Sequence, residues 1–238
     1  MSSYFLNFEQ VDYQFGNEVS TAKMQNLTQS VRIEDIIQDD ISFYNLYTIL
    51  DGDRPDILSQ KFYKNSKYHY TFYLMNSKIL ESGWPLVSAD VTELAQTVHP
   101  NTTLVTQDRI DGKMNVGQTV TGSSSGASGK IIAKRYDFGQ MIIEGTHSFR
   151  GSEVITSDTG ETVTLTAATP EYLSTHHYVD GDGNYVDVDP LSGDPSIYTV
   201  VTFLDQYNNE NDDLKQIRIV KPSAINQVHV EFMRLLKE

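Results

Sequence analysis

The chain of 238 residues carries 18 Lys and Arg against 32 Asp and Glu, a formal net charge of −14, which argues against a nucleic-acid groove built on clustered cations. It has no cysteine, which excludes a disulfide framework, a thiol nucleophile and cysteine-ligated zinc, and is compatible with folding in a reducing cytosol. Its 39% hydrophobic content suffices for a core in one or two domains, and no apolar run approaches the ~20 residues of a membrane-spanning helix.

The opening MSSYFLNFEQ lacks the basic start and long apolar run of a secretion signal, so no export is expected. Across residues 1–40, Tyr4, Phe5, Phe8, Tyr13 and Phe15 are scattered without a sustained period. This reads as an extended N-terminal arm that lies along a neighbouring subunit. Leu27, Val31 and Ile36 or Ile37 fit one side of a short helix.

Residues 47–76 form the stretch around which the rest is organised. A β-prone run over 43–50 stops at Asp51, Gly52 and Asp53, where glycine supplies the freedom a tight turn needs. Pro55 suits a first helical position and Asp56 complements the helix dipole, so a short helix is expected with Ile57, Leu58 and Phe62 buried. After Asn65 and Ser66, a second helix over 67–76 carries two stripes: Tyr68, Phe72 and Met75, then Tyr70, Tyr73 and Leu74. Both faces need cover. The rest of the chain can provide it, or one face is a protein interface with Tyr68, Tyr70, Tyr73 and the sole tryptophan, Trp84, as contact anchors.

Two resemblances meet in this stretch. The order of strand, Gly-Asp turn, helix, Asn break and helix resembles a LysM module, whose pattern is echoed by Tyr47, Thr48, Ile49, Gly52, Asp53, Ile57 and Leu58. Such modules often bind glycan chains. More specifically, the start at Arg54, Pro55 and Asp56, the run Lys61, Phe62, Tyr63, Lys64, Asn65, the tyrosine-rich second helix ending at Asn76, and Gly83 with Trp84 resemble a baseplate wedge protein of T-even-type contractile-tail phages, the family known as gene product fifty-three. Tyr70 stands where that resemblance leads one to expect tryptophan.

Residues 83–87 are expected to return as an edge segment beside the strand before Asp51. A packing helix over 88–98 follows, with Ser88 as N-cap, Val91, Leu94 and Val98 on one face, and Pro100 just beyond. Between residues 106 and 169, short β-branched runs separated by Gly, Ser, Asn and Asp predict a small all-β module. Its Gly- and Ser-rich loop over 122–129 lacks the spacing of a Walker phosphate loop and reads as a flexible hairpin tip. The run VGQTVTGSSSGASGKI resembles a small β module found inside many phage virion proteins, and the segment reads as an insertion.

Residues 176–189 predict a hairpin turning at Asp182, Gly183 and Asn184. Asp180, Asp182 and Asn184 have the first spacings of a calcium loop, but Leu191 stands where the bidentate acid belongs, so no metal site is assigned. At the end, a strand over 214–222 with Ile217 and Ile219 on one face leads into a helix with Ser223 as cap and Ile225, Val228, Phe232 and Leu235 in its stripe. This strand and helix are similar to the end of the wedge proteins.

The expected fold is α+β: a LysM-like βααβ core with an extended N-terminal arm, an inserted small all-β module, and a C-terminal strand plus amphipathic helix. The expected divisions are 1–40 for the arm, 41–105 for the core, 106–170 for the insertion and 171–238 for the hairpin, strand and helix that complete the framework. Six histidines occur without a metal-protease spacing, and no nucleotide loop or nucleophile motif stands out, so no enzyme, catalytic residue, cofactor or metal is expected. The wedge resemblance implies a structural subunit of the virion, made and assembled in the host cytoplasm. It contacts other wedge and tail proteins in a sixfold assembly and joins neighbouring wedges. No nucleic acid or membrane partner is implied. The alternatives are a module binding peptidoglycan glycan through the LysM-like unit, and a hidden wall-degrading enzyme with an acidic pair.

Overall fold

A computed structural model of the chain describes residues 8–17, 19–26, 41–188 and 195–236. They form 13 strands and six α-helices, divided between two compact units: residues 1–87 with 211–238, and residues 88–210. The helix expected across Leu27 to Ile37 lies outside the described residues. None of the described helices is long and apolar enough to cross a membrane.

The first unit opens with a hairpin of β1 (Gln10–Gln14) and β2 (Thr21–Gln25), which sets Val11 opposite Met24 and Tyr13 opposite Ala22. Phe8, just before it, is buried in a cluster with Tyr70, Val228 and Phe232. Strand β3 (Tyr44–Thr48) follows, then α1 (Pro55–Tyr63), with proline in its first turn and Lys64 closing it in the left-handed region at φ 58°. A 3₁₀ turn at Ser66–His69 leads into α2 (Tyr70–Met75) and α3 (Ser77–Ser82). The unit is completed from the other end of the chain by β13 (Gln216–Val220), antiparallel to β3, and by α6 (Ile225–Leu235).

The second unit begins with α4 (Ser88–Val98). Six strands, β4 (Thr102–Thr106), β5 (Thr119–Gly122), β6 (Ser128–Arg135), β7 (Gln140–Ile143), β8 (Val154–Ser157) and β9 (Thr162–Pro170), close into an antiparallel barrel in the order β4-β7-β6-β5-β8-β9. Alternate residues of β5, β8 and β9 point inward, and Leu104, Val120, Ile131, Met141, Ile155 and Leu165 help fill the interior. Closure removes the strand edges that an open sheet would expose. Beyond it, β10 (Thr175–Val179) lies between β11 (Tyr185–Val186) and β12 (Thr199–Thr202), and α5 (Phe203–Lys215) leads directly into β13.

The architecture is therefore mixed α/β with a closed six-stranded barrel, and the expected LysM-like βααβ core is not built. The reason lies in residues 83–87, which form no strand. Pro85 has no N–H to give to a ladder. The adjacent Leu86 instead donates its N–H to Asn211 Oδ1 (2.8 Å) and accepts from Asn211 Nδ2 (3.0 Å). The strand before Asp51 pairs with Gln216–Val220, with Tyr47 opposite Ile217 and Leu46 opposite Arg218.

Candidate interaction surface

The aromatic stretch is covered by the chain itself. Tyr70 is only 6% exposed; its ring lies 4.7 Å from that of Phe232 and its hydroxyl meets His229 Nδ1. Tyr68 is half-buried, with its ring edge-on to Tyr63 and His229 and its hydroxyl donating to Asn226 Oδ1 at 3.3 Å. Tyr73 and Trp84, also half-buried, face each other at 6.0 Å within the cluster of Leu58, Phe72 and Ile217. Tyr70 and Leu74 thus point to one cluster and Phe72 to the other. This phase differs from a single helix over 67–76 because the helix starts only at Tyr70, after a 3₁₀ turn of different pitch.

Hydrogen bonds tie these rings to the backbone. Tyr47 Oη donates to Asp53 Oδ2 at 2.8 Å, Leu50 N donates to the same oxygen at 3.0 Å, and Trp84 Nε1 donates to the Asp53 carbonyl at 2.8 Å. Burial, then the Asp53 bond and its negative charge, push the Tyr47 hydroxyl up to about 12. Tyr63 Oη donates to the Val220 carbonyl at 2.9 Å, and burial pushes its pKa up to about 12 as well. On the outer side of β13, Asn76 Oδ1 accepts from Arg218 N and Asn76 Nδ2 donates to Arg218 O, both at 2.8 Å. Asn76 and Asn211 thus perform the same task at Arg218 and Leu86, satisfying both polar groups of one backbone residue.

The apolar surface left over lies elsewhere. Ile57, expected inside, is 55% exposed, and Leu46 on β3 is 77% exposed. Ile49 N donates to Lys215 O and Lys221 N donates to Phe43 O, which fixes the ladder so that Tyr44, Leu46 and Thr48 turn their N–H and C=O groups away from β13. Among the described residues β3 has no strand partner on that outer edge. Beside Leu46 is a groove of about 560 Å³ lined also by Met75, Lys78, Ile79, Gln216 and Arg218. Its lining mixes charges, since Lys78 and Arg218 stand with Asp212 and Asp213, while at the β3 rings Lys61 Nζ sits 5.5 Å from the Tyr47 ring centre and the Arg218 guanidinium 5.1 Å from that of Tyr44. Residues 54–80 hold Arg54, Lys61, Lys64, Lys67 and Lys78 against Asp56 alone. Asp51, Asp53 and Glu81 bound that run, and Arg54 and Lys78 are paired with Asp56 and Asp213.

The second unit carries its own polar centres. The Gly- and Ser-rich loop is organised by a carboxylate: Glu153 Oε2 accepts from Ser124 N (3.1 Å) and Ser125 N (2.9 Å), and Oε1 accepts from Ser125 Oγ (2.8 Å) and Arg150 N (2.6 Å). Burial works to raise the Glu153 pKa, but the Arg150 and Ser125 N–H groups, the Ser125 hydroxyl and the Ser124 N–H prevail and hold it at about 2. Instead of a flexible tip, the loop is an anion cradle filled by the protein's own carboxylate. At Gly122 a Cβ would come 2.4 Å from Ser125 Oγ and 2.6 Å from Glu153 Oε2, so only glycine fits.

Asp180 is likewise engaged, its Oδ1 accepting from Asp182 N (2.9 Å) and Asn184 N (2.8 Å), the bonds of a turn. Among the described residues, no three His, Asp or Glu side chains gather closely enough to hold a metal ion. The adjacent His176 and His177 bring their Nδ1 atoms within 2.7 Å, where the β10–β12 register shifts between Thr175 and His177. Burial, then His177 and Arg135, lower the His176 pKa. Asn101 Nδ2 donates to Glu171 Oε2 at 2.7 Å, with His99 Nδ1 at 3.4 Å from Oε1 and the Phe203 ring 4.2 Å from that of His99. These groups bond to one another and to backbone, as a packed polar layer does. Comparison with known protein families and with curated protein sequences finds no match to this chain.

Proposed function

We propose that this chain is a non-enzymatic structural subunit of a contractile phage tail baseplate, resembling the wedge proteins and joining neighbouring wedges through several modest contacts. The observation that carries this reading is the joining of the two segments that bear the resemblance. Residues 47–84 and 214–236 lie far apart in the chain, yet they fold into one unit through the β3–β13 pair and the packing of Tyr70 on Phe232. The edge of β3, which has no strand partner among the described residues, and the cations at its rings are suited to protein contact. The glycan-binding alternative depended on a LysM-like core that the chain does not build, and no observation favours it.

The reading is tested in a phage that carries this gene, by placing a stop codon in it and examining lysates by electron microscopy. The expected result is heads without completed contractile tails, restored when the chain is supplied in trans. Normal, infectious tails from the stop mutant would refute the proposal.

A further inference from the structure

The N-terminal hairpin has a face that nothing described in the structure covers. Val11 and Tyr13 of β1, Phe15 just after it and Met24 of β2 are between 38 and 52% exposed, and the rings of Tyr13 and Phe15 touch edge-on at 4.9 Å. Side chains two apart share a face, so these four make one apolar surface, while Gln10, Asp12, Gln14 and Lys23 make a polar one. A two-stranded hairpin alone is marginal in water. Buried Phe8 anchors its base within the first unit.

We infer that this hairpin docks on a second copy of the chain, laying β1 along the outer edge of β3 and covering the exposed Leu46 and Leu50. This rests on the structural-subunit reading and names the contact. Three observations select a second copy as the occupant. First, donor and acceptor occur on one chain and match in length: β1 and β3 are each five residues, about 17 Å of strand. Second, the charges are complementary. Glu9 and Asp12 outnumber Lys23 on the hairpin, whereas around β3 Lys61, Arg218 and Lys221, whose Nζ donates to the Ile41 carbonyl at 2.9 Å, outnumber Asp51 and Asp53. Third, one strand edge and four half-exposed large side chains offer a contact at the small end of specific interfaces, as each of several contacts in a ring can be. Because the two surfaces differ, the contact is heterologous: each copy gives its hairpin to one neighbour and its edge to another, which builds a ring when the rotation closes.

The test uses the purified full-length chain and analytical ultracentrifugation at low and high salt. Wild type is expected to self-associate, with the dissociation constant rising at least tenfold from about 50 mM salt, where screening is weak, to about 500 mM, where it is strong. The double variant Tyr13→Ser with Phe15→Ser, and separately Leu46→Glu, are each expected to stay monomeric with melting temperatures close to wild type, because the altered side chains are exposed. Mixed together, the two variants are expected to form a one-to-one dimer, since Leu46→Glu keeps its hairpin and the hairpin variant keeps its edge. A wild-type chain that remains monomeric at all concentrations overturns the inference. So does self-association that survives Leu46→Glu, a mixture that gives no dimer, or a hairpin that binds only a different tail protein. These readouts concern the isolated chain, so they can fail while the chain is still required for tail assembly.

Discussion

Asn76 occupies the place that a further strand would take beside Arg218, and its amide is matched to one residue's N–H and C=O. Asn76→Ala leaves both groups unpaired and should cost about 2 kcal/mol, read as a lower urea midpoint with an unchanged slope. Tyr70→Ala removes a buried ring packed at a tilt against Phe232 and should cost about 3 kcal/mol of folding stability. Leu46→Glu, on the exposed edge, should cost within about 0.5 kcal/mol. Glu153 adds a pH dependence of defined sign. Its folded pKa of about 2 lies below the ordinary 4.5, so its stabilising effect is complete above 4.5 and is lost as pH falls toward 2. Glu153→Gln should therefore be about 2 kcal/mol less stable at pH 7, with the gap to wild type narrowing below pH 4.5 in melting curves. None of this was legible from spacing, because Asn76 and Arg218, or Ser124 and Glu153, are brought together only by the fold.

Elements whose pattern is local could be read from the sequence: Pro55 and Asp56 start α1, Asp182, Gly183 and Asn184 turn the β10–β11 hairpin, and Ile217 with Ile219 marks β13. Elements governed by distant partners could not. The run over 43–50 shows its strand character locally, but its partner is not residues 83–87, where Pro85 blocks pairing and Asn211 takes the backbone of Leu86. The hairpin of β1 and β2 was hidden because its alternation is short, though Val11, Tyr13 and Phe15 carry it. Helix α5 has Asn211, its one buried residue, in the middle of its stripe of Phe203, Tyr207 and Leu214, and its many other polar residues hide the period. In α4 the buried side is Val91 and Ala95, while Leu94 and Val98 face outward. Ser223 does not cap α6; the cap position is Ala224, without a side-chain bond. One element-level test concerns the β5–β6 turn: Gly122→Ala should lower the barrel's melting temperature by displacing Glu153 from its cradle, and Glu153→Gln added to it should cost less than it does alone.

At the scale of the molecule, the chain folds as two compact units, the first made from both ends of the sequence and the second from the middle. Calorimetry should therefore resolve two transitions, with Asn76→Ala lowering one and Glu153→Gln the other; a single transition shifted equally by both substitutions would mean one cooperative body. The first unit carries the residues on which the proposed wedge role rests, together with a strand edge and a hairpin face that lack cover among the described residues. Closed symmetry makes a numerical demand on that role. The direct measurement is the copy number of this chain in purified phage tails, by quantitative mass spectrometry against a tail subunit of known count. About six copies, or a small multiple, is the predicted result for a sixfold baseplate. Absence of the chain from assembled tails would contradict the account.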